Sequence, residues 1–144
     1  MMNDYVRDYM TKDLVTLGPE STLAEVREIM LSKHIHHIPI VGGDNGRKLI
    51  GMVTSWDLVK LGKSATEYAE IRVKEIMTEK IAALDPDQHL GAVADILMRH
   101  LFHAVPIVND DHDLVGIITS TDIIKYSHAK EYPDDLGKFV NDNM

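Results

Sequence analysis

Two segments of the chain carry apolar residues at the spacing of an amphipathic helix, with charged residues on the opposite side. The first segment contains Leu23, Val26, Ile29 and Met30. The second contains Leu90, Val93, Ile96 and Leu97. Each pattern predicts a helix that buries one face.

Each predicted helix is followed by two short β-rich runs. The first runs lie at residues 38–41 and 105–108, and the proline in each suggests an edge position or a strand start. After a turn, the second runs lie at residues 49–53 and 114–118. A further helix is predicted to begin at Thr54 in the first copy and at Thr119 in the second. With a strand ahead of the first helix, the predicted order is β-α-β-β-α, twice.

The two halves of the chain are also related by identity. Residues 6–11 (Val-Arg-Asp-Tyr-Met-Thr) match residues 73–78 (Val-Lys-Glu-Ile-Met-Thr) at an offset of 67 residues. The same offset superposes His36 on His103, and a shorter loop then changes it to 65 residues, which superposes Gly51 on Gly116. Because one copy of this size has an apolar face to cover, the two copies are expected to pack on each other.

Composition restricts the classes of function. The chain has 144 residues, no cysteine and a formal net charge of −8. The lack of cysteine excludes disulfides, thiolate metal sites and cysteine nucleophiles. No run approaches the roughly 18 apolar residues of a membrane span, and no signal peptide is visible. The excess of acidic residues argues against nucleic acid as a partner, so a soluble, cytoplasmic protein without a membrane partner is predicted.

The duplicated motifs resemble a known family. Val-x-x-x-Met-Thr, an amphipathic helix, His-x-x-Pro-Ile-Val and Leu-x-Gly-x-x-Thr-x-x-Asp occur in that order twice, across residues 5–127, as in a tandem pair of CBS domains (a Bateman module). The resemblance implies an α+β fold of two β-α-β-β-α motifs packed through their sheets with pseudo-twofold symmetry. Residues 5–62 would form the first motif, 63–72 a connector with helical potential, 73–127 the second motif and 128–144 a C-terminal tail.

The resemblance also implies a regulatory function. Family members commonly hold AMP, ADP, ATP or S-adenosylmethionine in two clefts between the motifs, form homodimers and modulate a partner protein. The alternative is a structural dimeric adaptor without a bound nucleotide. No Gly-x-x-x-x-Gly-Lys, Gly-x-Gly-x-x-Gly or Gly-x-Ser-x-Gly motif is present, so catalysis is not expected.

The candidate ligand contacts centre on two Thr-x-x-Asp turns, at Thr54 and Asp57 and at Thr119 and Asp122. Free N–H groups at a helix start can hold a phosphate, and the resemblance implies that each aspartate binds ribose hydroxyls. The same pattern is close to a capping box, which stabilises a helix without any ligand. Both interpretations remain open at this point and are compatible.

The resemblance places the adenine against the partner motif, near its first strand and the residues before its proline. For the Asp122 cleft these residues are Thr16, Leu17, Gly18, Ile35, His36, His37 and Ile38. For the Asp57 cleft they are Ala83, Leu84, Asp85, Phe102, His103, Ala104 and Val105. Trp56 could stack on a ligand, block a cleft or be a buried aromatic residue, whereas Thr121 leaves more room, which favours the Asp122 cleft.

Charge and histidine content refine the expected ligand. No Arg or Lys stands beside either turn, and Lys12, Lys80 and Arg99 are the candidate cations. Weak compensation of phosphate charge favours AMP, an adenosine or S-adenosylmethionine over ATP. The histidines lack the spacing of a zinc hydrolase motif, so no metal site is expected, and His36 and His103 are interpreted as pocket-wall or interface residues.

Overall fold

The computed structural model describes residues 2–100 and 103–133. The helices and strands are α1 (Leu23–Lys33), β1 (His37–Gly42), β2 (Lys48–Thr54), α2 (Ser55–Leu61), α3 (Ala65–Tyr68), α4 (Leu90–His100), β3 (Ala104–Val108), β4 (Leu114–Thr119) and α5 (Ser120–Glu131). Short 3-10 turns occupy Val6–Asp8 and Val73–Glu75. None of the helices within these ranges is long and apolar enough to cross a membrane.

Both predicted hairpins are present and share one register. Strands β1 and β2 are antiparallel with Ile38 opposite Val53, and β3 and β4 are antiparallel with Val105 opposite Ile118. The predicted helical potential of the connector is also realised, since Ser64 caps α3 through a capping box with Glu67. The mixed α+β fold with repeated motifs is therefore confirmed.

The strand predicted before each amphipathic helix is shorter than expected. It consists of single parallel bridges, Leu17 to Ile40 and Leu84 to Ile107. Proline follows two residues later in both copies, at Pro19 and Pro86. Because proline has no N–H to donate to a ladder, the strand cannot continue.

Two hydrophobic cores form, and each contains a valine from the other repeat. The first core, around Leu23, Ile38 and Val53, includes Val73. The second core, around Leu90, Val105 and Ile118, includes Val6. All of these side chains are almost completely buried. We call residues 4–11 and 71–78, which carry these valines and the Val-x-x-x-Met-Thr motifs, the exchanged segments.

Backbone hydrogen bonds hold the exchanged segments in place. The Val6 N–H donates to the Gln88 carbonyl and the Val73 N–H to the Ser21 carbonyl, both at 2.8 Å. Further along, Thr11 forms a bridge with Ile117 and Thr78 forms one with Met52. Each repeat is therefore completed by residues that precede the other repeat in sequence.

Met10 and Met77 of the exchanged segments explain the repeated glycines of β2 and β4. A Cβ atom added at Gly116 would lie 2.7 Å from Met10 Cγ, and one added at Gly51 would lie 2.9 Å from Met77 Cγ. Because real Cβ atoms do not approach other atoms this closely, any larger residue would force the methionine to move. Both glycines thus allow close packing of a methionine on the strand.

A polar cluster around the buried Asp113 joins the two motifs at the end of the hairpins that lies away from the Thr-x-x-Asp turns. The Asn45 amide donates to Asp113 Oδ1 at 3.0 Å, and Lys48 Nζ lies 3.1 Å from the same oxygen. These contacts, the Asn45 hydrogen bond foremost, lower the pKa of the Asp113 carboxyl. Strands β2 and β4 both begin at this cluster and end at the Thr-x-x-Asp turns.

Candidate ligand cavity

Both Thr-x-x-Asp turns open into one cavity of about 970 Å³ between the two motifs. The sequence predicts two clefts, whereas the structure has a continuous space that residues of both motifs line. Each exchanged segment crosses from one motif to the other, and the chain then continues into the wall of the cavity. The space suffices for a small-molecule ligand, since such sites commonly occupy about 300–1,000 Å³.

Each turn is a complete capping box. In the second turn the Thr119 N–H donates to Asp122 Oδ2 at 2.9 Å, and the Asp122 N–H donates to Thr119 Oγ1 at 3.3 Å. In the first turn the corresponding distances for Thr54 and Asp57 are 2.8 and 3.2 Å. The capping interpretation is therefore correct, and it fixes both carboxylates at the cavity wall.

The caps leave one oxygen of each aspartate available to a ligand. Asp57 Oδ1 lies 3.8 Å from Lys60 Nζ, a long ion pair at the start of α2. Among residues 2–100 and 103–133, none donates a hydrogen bond to Asp122 Oδ1. The two turns thus share a backbone geometry. They differ in how much of the negative charge of the aspartate is offset by a nearby cation.

The two threonine hydroxyls also differ. Thr119 Oγ1 donates to Asp122 Oδ2 at 3.2 Å, so its hydrogen is already engaged inside the cap.

Ser55 and Ser120, the first residues of α2 and α5, line the cavity as well and were not predicted as site residues. Their position directly after the motif threonine is the signal that could have identified them.

Trp56 is 64% exposed and lines the cavity, so the interpretation of a buried aromatic residue is wrong. The repeat-related residue Thr121 lines the cavity too. A large indole on one side and a small hydroxyl on the other make the two sides of the cavity unequal.

The repeat-related histidines lie beside the turns. The His36 carbonyl accepts from the Ser55 N–H at 2.9 Å, and the His103 carbonyl accepts from the Ser120 N–H at 3.0 Å. His36 Nδ1 is also 3.3 Å from Ser55 Oγ. His36 and His103 are therefore wall residues of the cavity, attached to the turn of their own motif.

His37 is the strongly perturbed ionisable group of the cavity. Its ring centroid lies 6.2 Å from that of His103. Burial lowers the pKa of His37 to about 4, with smaller contributions from His103 and His36 that oppose a second positive charge. His37 is consequently neutral near pH 7.

The predicted site residues divide into two groups. Those that line the cavity are His36, His37, Thr54, Trp56, Asp57, His103, Ala104, Thr119, Thr121 and Asp122, together with Ile35. Those that do not line it are Thr16, Leu17, Gly18, Ile38, Ala83, Leu84, Asp85 and Val105. Ile38 and Val105 point into the two cores, because the strand alternation turns them away from the cavity. Phe102 lies outside the described residues, and the ligand-contact roles of all of these residues stay predictions.

Part of the wall comes from residues of which the sequence indicated only Lys80, as a candidate cation. These residues continue the exchanged segments and comprise Thr11, Asp13, Leu14, Val15, Thr78, Lys80, Ile81 and Ala82. They immediately follow the repeated methionine, so the Val-x-x-x-Met-Thr motif itself was the available signal. The resemblance placed the contacts at residues 16–18 and 83–85, which come later in the chain than the residues that line the cavity.

The charges of the wall are mostly negative. Asp13, Asp57 and Asp122 line the cavity, and Lys80 is the one Lys or Arg of the described residues that does so. Of the other candidate cations, Lys12 does not line the cavity, and Arg99 is paired with Asp95 on α4 at 2.7 Å. In the described part of the chain, no group of three His, Cys, Asp or Glu residues could hold a metal ion.

Comparison with known proteins identifies the relatives of this chain. The family model for the CBS domain matches residues 6–64 and 73–129. A homoserine O-acetyltransferase of Methanohalobium evestigatum is 31% identical over 123 residues, which are 85% of this chain and 24% of that protein. The chain thus spans about a quarter of the length of this curated relative.

Two solved structures show the same architecture. The CBS domain pair of protein MJ0100, in complex with 5′-methylthioadenosine and S-adenosyl-L-methionine, has a TM-score of 0.75 at 31% identity, covering 88% of this chain and 98% of that one. Protein MJ1225 from Methanocaldococcus jannaschii has a TM-score of 0.79 at 27% identity, covering 87% of this chain and 48% of that one.

Proposed function

The chain belongs to the CBS domain family, whose tandem pairs are ligand-sensing regulatory modules, and from this premise we propose that its cavity binds an adenosyl compound and thereby modulates a partner protein. The observation that carries the proposal is the position of Asp57 and Asp122. Each is held by a capping box at the wall of one cavity, with one carboxylate oxygen outside the cap. A ribose offers two neighbouring hydroxyl donors to such an oxygen.

The wall also suits a nucleoside base. Leu14, Val15, Ile81 and Ala82 supply apolar surface, and Trp56 supplies an exposed aromatic face. A flat base can stack on the indole while its edge reaches backbone groups. The binding of 5′-methylthioadenosine and S-adenosyl-L-methionine by the CBS pair of MJ0100 supports an adenosyl ligand here.

The proposed ligand carries few negative charges. Three carboxylates and one lysine line the cavity, which disfavours a triphosphate. AMP, 5′-methylthioadenosine and S-adenosylmethionine fit this balance better than ADP or ATP. We assign the module no catalytic role. The acetyltransferase activity in the name of one relative is not assigned to this chain, because the chain spans only 24% of that protein.

We also propose that the module is a homodimer that contacts its regulated partner through helical surfaces. The support is that apolar side chains at repeat-related positions are exposed, namely Val59 and Ile124, at 67% each, and Leu31 and Met98. Light scattering on the purified chain tests the oligomeric state, and a monomer at micromolar concentration would contradict this part of the proposal.

A thermal-shift panel of AMP, ADP, ATP, S-adenosylmethionine, 5′-methylthioadenosine and NAD tests ligand binding. A ligand at about 100 times its Kd stabilises the native state by about 2.7 kcal/mol. For a chain of this size that is a rise in Tm of roughly 5–10 °C. We expect such a rise with at least one adenosyl compound that bears at most one phosphate. If none of these compounds raised the Tm, the structural adaptor would be favoured. In that case the aspartates serve only to cap their helices.

A further inference from the structure

Positions 13 and 80 break the symmetry of the cavity. They are related by the same offset of 67 residues that relates the two exchanged segments, yet one is aspartate and the other lysine. Both line the cavity. Their neighbours in the wall, Leu14 and Ile81, are chemically equivalent, so the change at this pair of positions is one of charge.

Neither side chain has a competing partner. Asp13 and Lys80 are exposed, and neither forms an ion pair or side-chain hydrogen bond with any residue in the ranges 2–100 and 103–133. The other polar residues of the wall are more engaged, since Asp57 and Asp122 are held in caps. Asp13 and Lys80 therefore have their full charge available to a ligand.

The bridges of the exchanged segments associate each charge with one half of the cavity. Thr78 pairs with Met52 of β2, which places Lys80 on the side of the Thr54 turn, and Thr11 pairs with Ile117 of β4, which places Asp13 on the side of the Thr119 turn. The two turns have the same backbone geometry, so each can present its aspartate to a ribose. Any difference in what is attached to the ribose is then decided elsewhere in the wall.

We propose that Lys80 and Asp13 are the specificity-determining residues of the cavity. The half that contains Lys80 accepts an adenosyl compound with an anionic substituent, and the half that contains Asp13 accepts one whose substituent is neutral or cationic. This inference rests on the proposed function and adds to it that the two halves bind ligands of different charge. The physical basis is the Coulomb interaction of one fixed charge with the substituent at the partly hydrated wall.

Calorimetric titration with two probes that differ in charge tests the assignment. The probes are AMP, whose phosphate is anionic, and 5′-methylthioadenosine, which is neutral. In Lys80→Ala we expect AMP to bind about fivefold to tenfold more weakly, the usual effect of losing a charge-assisted contact at a hydrated site. The affinity for 5′-methylthioadenosine should stay within twofold. Asp13→Ala should change the AMP to 5′-methylthioadenosine affinity ratio in the opposite direction.

Salt provides an independent readout. Because exposed charges are screened at high ionic strength, raising the salt from 0.05 to 0.5 M should weaken AMP binding to the wild-type protein more than binding to Lys80→Ala. Lys74→Ala is the matched control, since Lys74 is an exposed lysine paired with Glu20 away from the cavity. It should leave both affinities unchanged.

An unchanged affinity ratio in Lys80→Ala, or an equal loss for both probes, would overturn the assignment while adenosyl binding itself stood. If neither probe bound the wild-type protein, the proposed function would fail, and this inference with it. Lys80→Gln, which keeps the length of the side chain without its charge, should reproduce the AMP loss and so separates charge from packing.

Discussion

At the residue scale, the ribose-binding role proposed for the aspartates of the two turns uses the same carboxylate that caps the helix. Oδ2 of Asp122 closes the cap of α5, and Oδ1 stays outside the cap. The capping role is confirmed and could be predicted because Thr-x-x-Asp is a local pattern, whereas the binding role stays a prediction. The sequence could not show which hydroxyls are already used, since the hydrogen bond from Thr119 to Asp122 depends on the folded geometry.

Two substitutions at Asp122 separate these roles. Asp122→Ala removes the cap as well as the acceptor, so we expect a loss of about 1 kcal/mol in stability and at least about 1.5 kcal/mol in the binding of 5′-methylthioadenosine. Asp122→Asn keeps an oxygen for the Thr119 N–H and should be nearly as stable as the wild type, with weakened binding. Denaturant unfolding and calorimetry measure the two effects. Asp95→Ala on α4 is the control, and full affinity for 5′-methylthioadenosine in both Asp122 variants would remove this residue from the site.

His37 should make stability depend on pH. Its pKa is about 4 in the folded protein and about 6.5 in the unfolded chain. Between these pH values His37 binds a proton in the unfolded chain and does not bind one in the native state. The free energy of unfolding therefore falls as the pH drops from 6.5 towards 4. Below pH 4 both states are protonated and the loss levels off.

The variant His37→Gln removes this proton uptake. Between pH 7 and pH 5 its free energy of unfolding should decline less than that of the wild type, as measured by urea denaturation. The other ionisable groups are common to both proteins and cancel in the difference. Parallel pH profiles for the two proteins, or an NMR titration of His37 near pH 6.5, would show that burial does not perturb this ring.

At the element scale, periodicity predicted the helices and hairpins because each buries a regular face. The apolar stripes at Leu23 and Leu90 and the antiparallel strand pairs, such as Ile38 opposite Val53, follow directly from the local pattern. The first strand was over-predicted because Pro19 and Pro86 end the pairing after one bridge. The roles of Gly51 and Gly116 could not be predicted, since their methionine partners come from the other repeat.

A double-mutant cycle tests the methionine–glycine contact. Gly116→Ala should destabilise the protein by about 1–3 kcal/mol, because the new methyl group collides with Met10. In the double variant with Met10→Ala, the collision is relieved, so the combined loss should be smaller than the sum of the single losses. Urea unfolding provides the values.

Gly91→Ala is the control for glycine replacement itself. A Cβ at Gly91 would meet the Met2 carbonyl oxygen at 3.5 Å, an ordinary contact, so this helical variant should be neutral or slightly more stable. Strict additivity of Gly116→Ala and Met10→Ala would contradict the packing account.

At the scale of the whole molecule, the units of sequence and the units of packing differ. The sequence repeats begin at Val6 and Val73, but each of these valines lies in the core of the other repeat. Periodicity and identity reveal that two copies exist, whereas the exchange depends on contacts between residues far apart in sequence, such as Val6 with Gln88 and Val73 with Ser21. The same exchange brings residues 11, 13–15, 78 and 80–82 into the cavity wall.

The exchange predicts one cooperative unfolding transition. Val6→Ala and Val73→Ala each remove two buried methyl groups and should each cost about 2 kcal/mol. Because each core contains a segment of the other repeat, both variants should lower the midpoint of the same single transition. Lys12→Ala, at an exposed position outside the cores and the cavity, should change it by less than about 0.5 kcal/mol. Two separate transitions, each sensitive to one variant, would contradict this coupling.

The central claim is that the cavity binds an adenosyl compound, and the single tryptophan of the chain reports on it directly. Trp56 is exposed and lines the cavity, so a bound base should change its emission on excitation at 295 nm. Titration with 5′-methylthioadenosine should give a saturable change, with a midpoint at least about tenfold higher in the Asp57→Asn/Asp122→Asn variant. No saturable change in the wild-type protein, or an identical curve in the variant, would contradict the account.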